Sequence, residues 1–341
     1  MTAGAWVTGH RDGRGQSAAG AEAGAPATGS ARADADRRPQ QRLKGALMIT
    51  AAVAVGGFQD ALIKLLSASY PVYEMQLLRG GTAMLLILAS LAATGGLGRL
   101  LGPRPGLLAL RSAILAVASL TFYLALSAMQ FADAVAIYFS MPLMIAALSG
   151  LVIGEHVPLR RWVAVVVAFI GVGIVVQPGT GVFNPASLIV LVSTLCYALG
   201  LMLTRPLGMQ VDSAVMGLWQ VGGFVVTSAL LLLVFGNGAF YDPARPGLAY
   251  LTAGWIAPSI TDLLWMLGFG VAAAAASVLY TLGYKAAAPS FVAPFEYSAL
   301  FWASLWGFVF FRDIPHSTTL IGAVPIIGAG LWMVWRERRV G

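Results

Sequence analysis

Two stretches of the sequence align with each other without a gap: LTFYLALSAMQFADAVAIYFSMPLMIAALSGLVIGEHVP (Leu120–Pro158) and SVLYTLGYKAAAPSFVAPFEYSALFWASLWGFVFFRDIP (Ser277–Pro315). Both stretches are strongly apolar, and the register continues beyond them. Four pairs of identical residues share one constant offset: Tyr123/Tyr280, Pro158/Pro315, Gly171/Gly328 and Gly173/Gly330. A duplication of this kind predicts a protein built from two related halves around a central site.

The composition places the chain in a membrane. Of its 341 residues, 58% are hydrophobic and only 10% are charged, whereas soluble domains carry about 25% charged residues. The net charge is +7, and the basic residues lie between the apolar runs and in both tails. This placement is typical of charges that orient a membrane protein, and it argues against a nucleic-acid partner. The single cysteine, Cys196, excludes a disulfide within the chain.

The chain changes character near residue 43. Residues 1–43 have almost no aliphatic side chains, so we predict a disordered cytoplasmic tail, and 336–341 form a basic cytoplasmic tail. Between them lie ten apolar segments, each near the length of about 20 residues that crosses a bilayer as a helix. The segments are approximately 45–66, 72–93, 107–128, 133–153, 160–177, 186–204, 213–235, 262–284, 291–311 and 317–335.

The distribution of Lys and Arg predicts the orientation. With a cytoplasmic amino terminus, most Lys and Arg fall on the inner side and the outer loops receive only Arg245 and Arg312. Both termini are then inside, and helices 1–5 (residues 45–177) and 6–10 (residues 186–335) are inverted relative to each other. The fold predicted is therefore an all-α membrane protein of ten transmembrane helices in two inverted five-helix repeats, with 236–261 as an outer loop.

One stretch in each half of the sequence resembles a repeat of a known family. The pattern FADAVAIYFSMPLMIAALSGLVIGEHVPLRRWVAVVVAFIGVGIVVQP (131–178) resembles the first EamA repeat of the drug/metabolite transporter (DMT) superfamily. The second half, KAAAPSFVAPFEYSALFWASLWGFVFFRDIPHSTTLIGAVPIIGAGLWMVWRE (285–337), resembles the second repeat. The second copy departs from the family pattern at two positions: Pro142 is matched by Ala299, and Glu155 by Arg312, which Asp313 follows. The resemblance implies a central cavity lined by helices 1–4 and 6–9 and transport of amino acids, nucleotide-like cofactors, riboflavin or other polar metabolites.

The function predicted is secondary transport by alternating access across the inner membrane. The stretches FEYSALFW and IPHSTTLIGA resemble those of family members that take up riboflavin- and adenosylmethionine-like solutes. Uptake is therefore the favoured direction, and export by the same fold is the alternative. A membrane-embedded enzyme or receptor is the remote alternative, because the zinc-helix, nucleophile-elbow and phosphate-loop motifs were not found. No cofactor or metal is expected. A proton or counter-substrate as driving partner and a homodimer stay open.

Charged side chains within apolar segments are the first site candidates. Helix 1 carries Gln59, Asp60 and Lys64, and helix 2 carries Glu74 and Arg79. A charge at the bilayer centre costs on the order of 3 kcal/mol, so it is retained for a reason. The functional interpretation is an anion-selecting or coupling cluster between the two helices. The alternative is a structural ion-pair network, with Lys64 and Glu74 reaching the interface.

Glu296 in helix 9 is the second candidate. It lies between Pro294 and Tyr297, where a proline frees backbone carbonyls and creates local polarity. The functional interpretation is a ligand for a substrate ammonium group or a proton-coupling acid. The alternative is a structural carboxyl that caps a kinked helix end, and Asp60 is the competing proton carrier.

Aromatic and amide side chains in central helices complete the prediction. They combine a ring or apolar stem with a polar group, so they suit a cavity that binds a planar solute, although core packing is the alternative. Pro142, near the middle of helix 4, is a candidate hinge or a static kink. The other candidates are Tyr123, Tyr138, Tyr197, Trp219, Gln220, Tyr280 and Tyr297.

Overall fold

The computed structural model describes residues 29–337 apart from 153–158, 179–182, 209, 243–245 and 287–288. The part of the chain within these ranges is helical and holds no strand. Two short 3₁₀ helices, Gly96–Arg99 and Ala293–Tyr297, accompany the α-helices. The α-helices are α1 Gly29–Leu66, α2 Val72–Ala93, α3 Pro105–Leu126, α4 Phe131–Tyr138, α5 Met141–Val152, α6 Leu159–Val176, α7 Ala186–Gly208, α8 Ser213–Phe235, α9 Pro246–Thr252, α10 Ile260–Ala286, α11 Pro289–Val292, α12 Ser298–Phe311 and α13 Ser317–Glu337.

Each of the ten predicted segments coincides with helix, and the fourth and ninth are each divided into two helices. Among the residues that the structure describes, six helices are long and apolar enough to cross a membrane; they lie within α1, α2, α3, α7, α8 and α10. Shorter apolar helices cover Phe131–Ile145, Trp162–Val176 and Ser317–Met333. An all-helical membrane protein is therefore confirmed, while the count of ten crossings and the inverted arrangement stay predictions.

Two regions differ from the sequence prediction. Helix α1 begins at Gly29, inside the segment 1–43 predicted as a disordered tail, because Ala and Arg, which recur there, are strong helix formers. A boundary between two units of the chain falls after Gln40, and residues 1–28 lie outside the described ranges. The predicted outer loop 236–261 contains the helix α9, and Tyr250 of this helix is buried.

The apolar side chains divide between an interior and a lipid-facing surface. The largest buried cluster takes residues from both predicted halves, including Met75 and Phe131 with Phe269 and Ile326. Many large apolar side chains instead face outward, and Leu233 is 81% exposed. An outward apolar surface of this extent matches hydrocarbon rather than water.

Helices α6 and α13, the last helices of the two predicted halves, approach each other through glycines. A Cβ built on Gly171 would lie 2.5 Å from the carbonyl oxygen of Gly322, and one on Gly322 would lie 2.6 Å from that of Gly171. The two backbones are thus in contact. Small residues permit this approach where apolar burial cannot drive helix association in lipid.

We expect Gly171→Ala to lower the thermal unfolding midpoint of the purified protein. The added methyl group meets backbone, which cannot move aside as a side chain can, and overpacking costs about 1–3 kcal/mol. Gly173→Ala is the matched control on the same helix. Nothing lies within 4 Å of a Cβ at Gly173, so the change should be neutral or stabilising. Equal midpoints for the two variants would contradict the close α6–α13 contact.

Candidate functional site

The fourth and ninth predicted segments are each broken near the middle. Between α4 and α5, Phe139 and Ser140 interrupt the helix, and Ser140 is fully buried. Between α11 and α12, the 3₁₀ helix Ala293–Tyr297 takes the place of regular α-helix. Breaks of this kind within a membrane are tolerated where the backbone is covered by protein or lines a cavity.

The two breaks are equivalent and touch each other. In the alignment of the halves, Phe139 matches Glu296 and Ser140 matches Tyr297. The rings of Phe139 and Tyr297 pack edge to face, with 5.1 Å between their centroids. The two related halves therefore meet at their interrupted helices.

Proline accounts for the position of each break. Pro142 is the second residue of α5, where the missing N–H has no helical partner to lose, so the helix restarts there rather than kinking through its middle as predicted. Pro294 occupies the first turn of the 3₁₀ helix in the same way. The hinge role of Pro142 stays a prediction.

Asp60, Tyr123 and Arg79 form a hydrogen-bonded chain across α1, α3 and α2. The Tyr123 hydroxyl donates to Asp60 Oδ1 at 2.9 Å and accepts from Arg79 Nη1 at 2.6 Å. The Arg79 Cζ also lies 5.6 Å from the centre of the Tyr123 ring, which is 5% exposed. The tyrosine thus joins a carboxylate to a guanidinium, and such charge-assisted bonds are the stronger ones in a protein interior.

A row of aromatic rings extends from this chain. Phe122 packs edge to face on Tyr123 at 5.6 Å and on Tyr138 at 5.4 Å between centroids, and Tyr138 packs on Tyr197 at 5.7 Å. The row runs from α3 through α4 to α7. It forms a wall with polar hydroxyls, on which a planar solute could pack.

Glu296 joins this wall from the other half of the chain. It is half-buried in the 3₁₀ helix and lies near enough to Tyr197, Tyr280 and Tyr297 to interact with them electrostatically. Tyr197 is also within reach of the charges on Asp60 and Arg79. One polar site therefore gathers residues from both halves. We call it the central site: Asp60, Arg79, Tyr123, Tyr138, Tyr197, Tyr280, Glu296 and Tyr297.

The structure does not bring Lys64 and Glu74 into the central site, although the sequence groups them with Asp60 and Arg79. Lys64 Nζ donates to the carbonyl of Met129 and lies 3.8 Å from Asp313 Oδ2. Glu74 is fully buried and its Oε2 accepts from the backbone N–H of Ile256 at 3.2 Å. Helical spacing alone could not show these partners, which come from distant parts of the chain.

The remaining predicted residues, Gln59, Trp219 and Gln220, lie outside the central site as defined above. Gln59 is buried on α1 beside Asp60. Trp219 donates through Nε1 to the carbonyl of Leu100 at 2.8 Å and packs in a separate apolar cluster, so it has a structural contact away from the wall. Gln220 accepts a hydrogen bond from an arginine that was not among the predicted site residues.

That arginine is Arg111 on α3. Its exposure is 5%, and Gln220 Oε1, Thr204 Oγ1 and Tyr197 surround it: the first two accept its hydrogen bonds and the third is within electrostatic reach. The distribution of Lys and Arg places Arg111 with the positive charges on the predicted inner side. Its position inside the apolar segment 107–128 was the signal that could have identified it.

A second polar cluster lies at the end of the bundle where α1 finishes. It joins Lys64 and Asp133 of the first half to Asp313, His316 and Thr319 of the second. Asp133 accepts from the Thr319 hydroxyl and lies 3.4 Å from His316 Nδ1. We call these five residues the Lys64 cluster. Within the described ranges, no group of His, Cys, Asp or Glu is arranged to hold a metal ion.

Comparison with known proteins agrees with this architecture. Residues 43–177 match the EamA-like transporter family. A protein of Rickettsia prowazekii (strain Madrid E) named S-adenosylmethionine uptake transporter is 22% identical over 87% of this chain and 94% of its own length. A riboflavin transporter of Rhizobium johnstonii is 29% identical over 63% of this chain and 65% of its own length.

A solved crystal structure supports the fold. It covers 87% of this chain and 98% of its own, with a TM-score of 0.57 and 18% identity, a likeness that concerns the fold alone. The family match covers the first predicted repeat, and the first relative covers both. The names of the family and the relatives indicate a transporter rather than an enzyme. The chain is therefore a multi-pass membrane protein that is similar, over residues 43–177, to the EamA-like transporter family.

Proposed function

We propose that this protein is a secondary transporter that takes up a small polar or aromatic metabolite by alternating access. The observation that carries the proposal is the meeting of two equivalent broken helices, Phe139–Ser140 and Ala293–Tyr297, beside the central site. Interrupted helices at the interface of two repeats are the usual place where secondary transporters bind their solute.

The membrane arrangement proposed is ten crossings in two inverted halves, in the inner membrane with both termini cytoplasmic. The helices coincide with the ten apolar segments, and Lys and Arg concentrate on one predicted side. In this orientation the Lys64 cluster lies on the outer side. Since it ties one half to the other there, it must separate when the outer entrance opens.

The solute proposed has a planar ring and a polar or charged group. The wall of Tyr138 and Tyr197 suits a ring, while Asp60 and Glu296 suit a positive charge. The names of the relatives point to two solutes with rings, S-adenosylmethionine and riboflavin. A proton or a counter-substrate would drive transport, with Asp60 or Glu296 as the proton carrier and Pro142 as a flexing point.

The test is uptake by the purified full chain in liposomes. Vesicles would be offered labelled S-adenosylmethionine, riboflavin and aromatic amino acids, with protein-free vesicles as the control. We expect saturable uptake of at least one solute, which unlabelled solute inhibits. No flux of any solute above the protein-free control would overturn the proposal.

Direction needs a separate measurement in cells. We expect cells that express the protein to accumulate the identified solute from the medium, and to do so more slowly when the proton gradient is dissipated if a proton drives uptake. Faster loss of the solute from preloaded cells, without uptake, would instead support the exporter alternative.

A further inference from the structure

Arg111 is a buried cation whose neighbours are neutral. Its Nε donates to Thr204 Oγ1 at 2.8 Å, its Nη2 to Gln220 Oε1 at 3.2 Å and its Nη1 to the carbonyl of Met216 at 3.4 Å. Among the residues that the structure describes, no carboxylate forms an ion pair with it. Its 5% exposure removes it from water as well.

This environment is unusual for a purely structural residue. A guanidinium carries five N–H donors, and the three acceptors around Arg111 bring no negative charge. A buried charge without a counter-charge is expensive, and a neutral amide side chain could donate two hydrogen bonds to these helices without that cost. The charge itself therefore requires an explanation.

Arg111 also adjoins the central site. Tyr197 lies within electrostatic reach of Arg111 and of Glu296 and Asp60. A solute that packs on the Tyr197 ring would thus lie within electrostatic reach of the guanidinium groups of Arg111 and Arg79 and of two carboxylates. Arginine binds carboxylates through two parallel hydrogen bonds, a geometry that a neutral or amine donor does not offer.

We infer that Arg111 binds the carboxylate of the transported solute and thereby sets the substrate class. The inference rests on the proposed function. The solute is a zwitterion with three parts: a planar ring on Tyr138 and Tyr197, a cationic group towards Asp60 or Glu296, and a carboxylate at Arg111. An amino acid that bears an aromatic or nucleoside group has all three, as S-adenosylmethionine does, whereas riboflavin has no carboxylate.

The experiment compares ligands that differ only in the carboxylate. Dissociation constants are measured by calorimetry on the purified full chain for S-adenosylmethionine and its decarboxylated form, and for tryptophan and tryptamine. We expect the wild-type protein to bind the carboxylate form of at least one pair about tenfold or more tightly. Arg111→Gln should remove that preference while leaving the affinity for the decarboxylated form within about threefold.

Two further arms separate binding from structure. Arg111→Lys keeps the charge without the two-pronged geometry, so it should retain part of the preference, and it serves if the glutamine variant does not fold. Thr204→Val removes a structural partner only and should keep the preference. A preference unchanged in Arg111→Gln or in Arg111→Lys, or no preference in a wild-type protein that binds both forms, would overturn the inference.

Uptake distinguishes this inference from the proposed function. Wild-type vesicles that take up riboflavin but neither S-adenosylmethionine nor tryptophan would overturn the role of Arg111 and leave the transporter proposal standing. Vesicles that take up none of the solutes would overturn both.

Discussion

Asp60→Asn should lower solute uptake at least about a hundredfold while the helices remain folded. Asp60 is joined to Arg79 through the Tyr123 hydroxyl in the interior, and asparagine keeps the size of the side chain but not its charge. A charge-assisted contact to the solute is worth about 3 kcal/mol, which corresponds to about a hundredfold in affinity. Initial uptake rates in vesicles, with circular dichroism as a folding check, measure both quantities.

The alternative for Asp60 is a purely structural charge pair, and a double variant separates the two. Asp60→Asn and Arg79→Gln each leave one charge of the pair behind, which should lower the melting temperature. The double variant removes both charges and should regain much of the lost stability. If Asp60 acts on the solute, uptake stays lost in the double variant although its stability returns.

Two control variants test whether the effect of Asp60→Asn is specific. Asp262→Asn changes a carboxyl group that holds Tyr70 and Ser259 at the start of α10, away from the central site, so uptake should stay near that of the wild type. Tyr123→Phe removes the bridging hydroxyl alone and should lower uptake less than Asp60→Asn. Recovery of both stability and uptake in the Asp60→Asn, Arg79→Gln protein would show that the pair is structural.

The helices could be predicted from the sequence because lipid leaves the backbone one solution. Segments such as 72–93 and 213–235 match α2 and α8 end to end, since each apolar run must satisfy its own hydrogen bonds. The interruptions are harder to foresee. Pro142 predicted a kink within one helix, but α5 begins anew at Met141 and the break extends back over Phe139 and Ser140.

The central site was predicted in part. Duplication and intramembrane polarity identified Tyr123, Tyr280, Asp60 and Glu296, because a polar group in an apolar segment is visible without a structure. The partners were not visible: the Tyr123 hydroxyl between Asp60 and Arg79 depends on how three helices pack.

Lys64 and Arg111 show the two errors that sequence spacing invites. Lys64 is one helical turn from Asp60, yet it pairs with Asp313 in the other predicted half of the chain. Arg111 looked like an orienting charge near a segment end, yet it is buried among α3, α7 and α8. In both cases tertiary contacts, which a single sequence does not record, decide the role of the side chain.

Glu296→Gln should abolish net uptake of the solute. The rate at which the variant still exchanges internal for external solute will show which role the carboxyl group has. Glu296 lies in the 3₁₀ break among Tyr197, Tyr280 and Tyr297. If it binds a cationic group of the solute, glutamine weakens binding, so net uptake and exchange both fall by about a hundredfold. If it carries the coupling proton, glutamine cannot release one, so proton-driven uptake is lost while exchange of solute for solute continues.

These outcomes are measured with the same vesicles, first with a proton gradient and then with solute on both sides. Glu296→Asp keeps the charge on a shorter side chain and should recover part of the activity in either case, whereas Asp262→Asn again serves as the carboxyl control. Full net uptake by Glu296→Gln would remove this residue from the mechanism. Asp60 would then be the remaining carboxylate of the central site, since Asp133 and Asp313 lie in contacts of the Lys64 cluster.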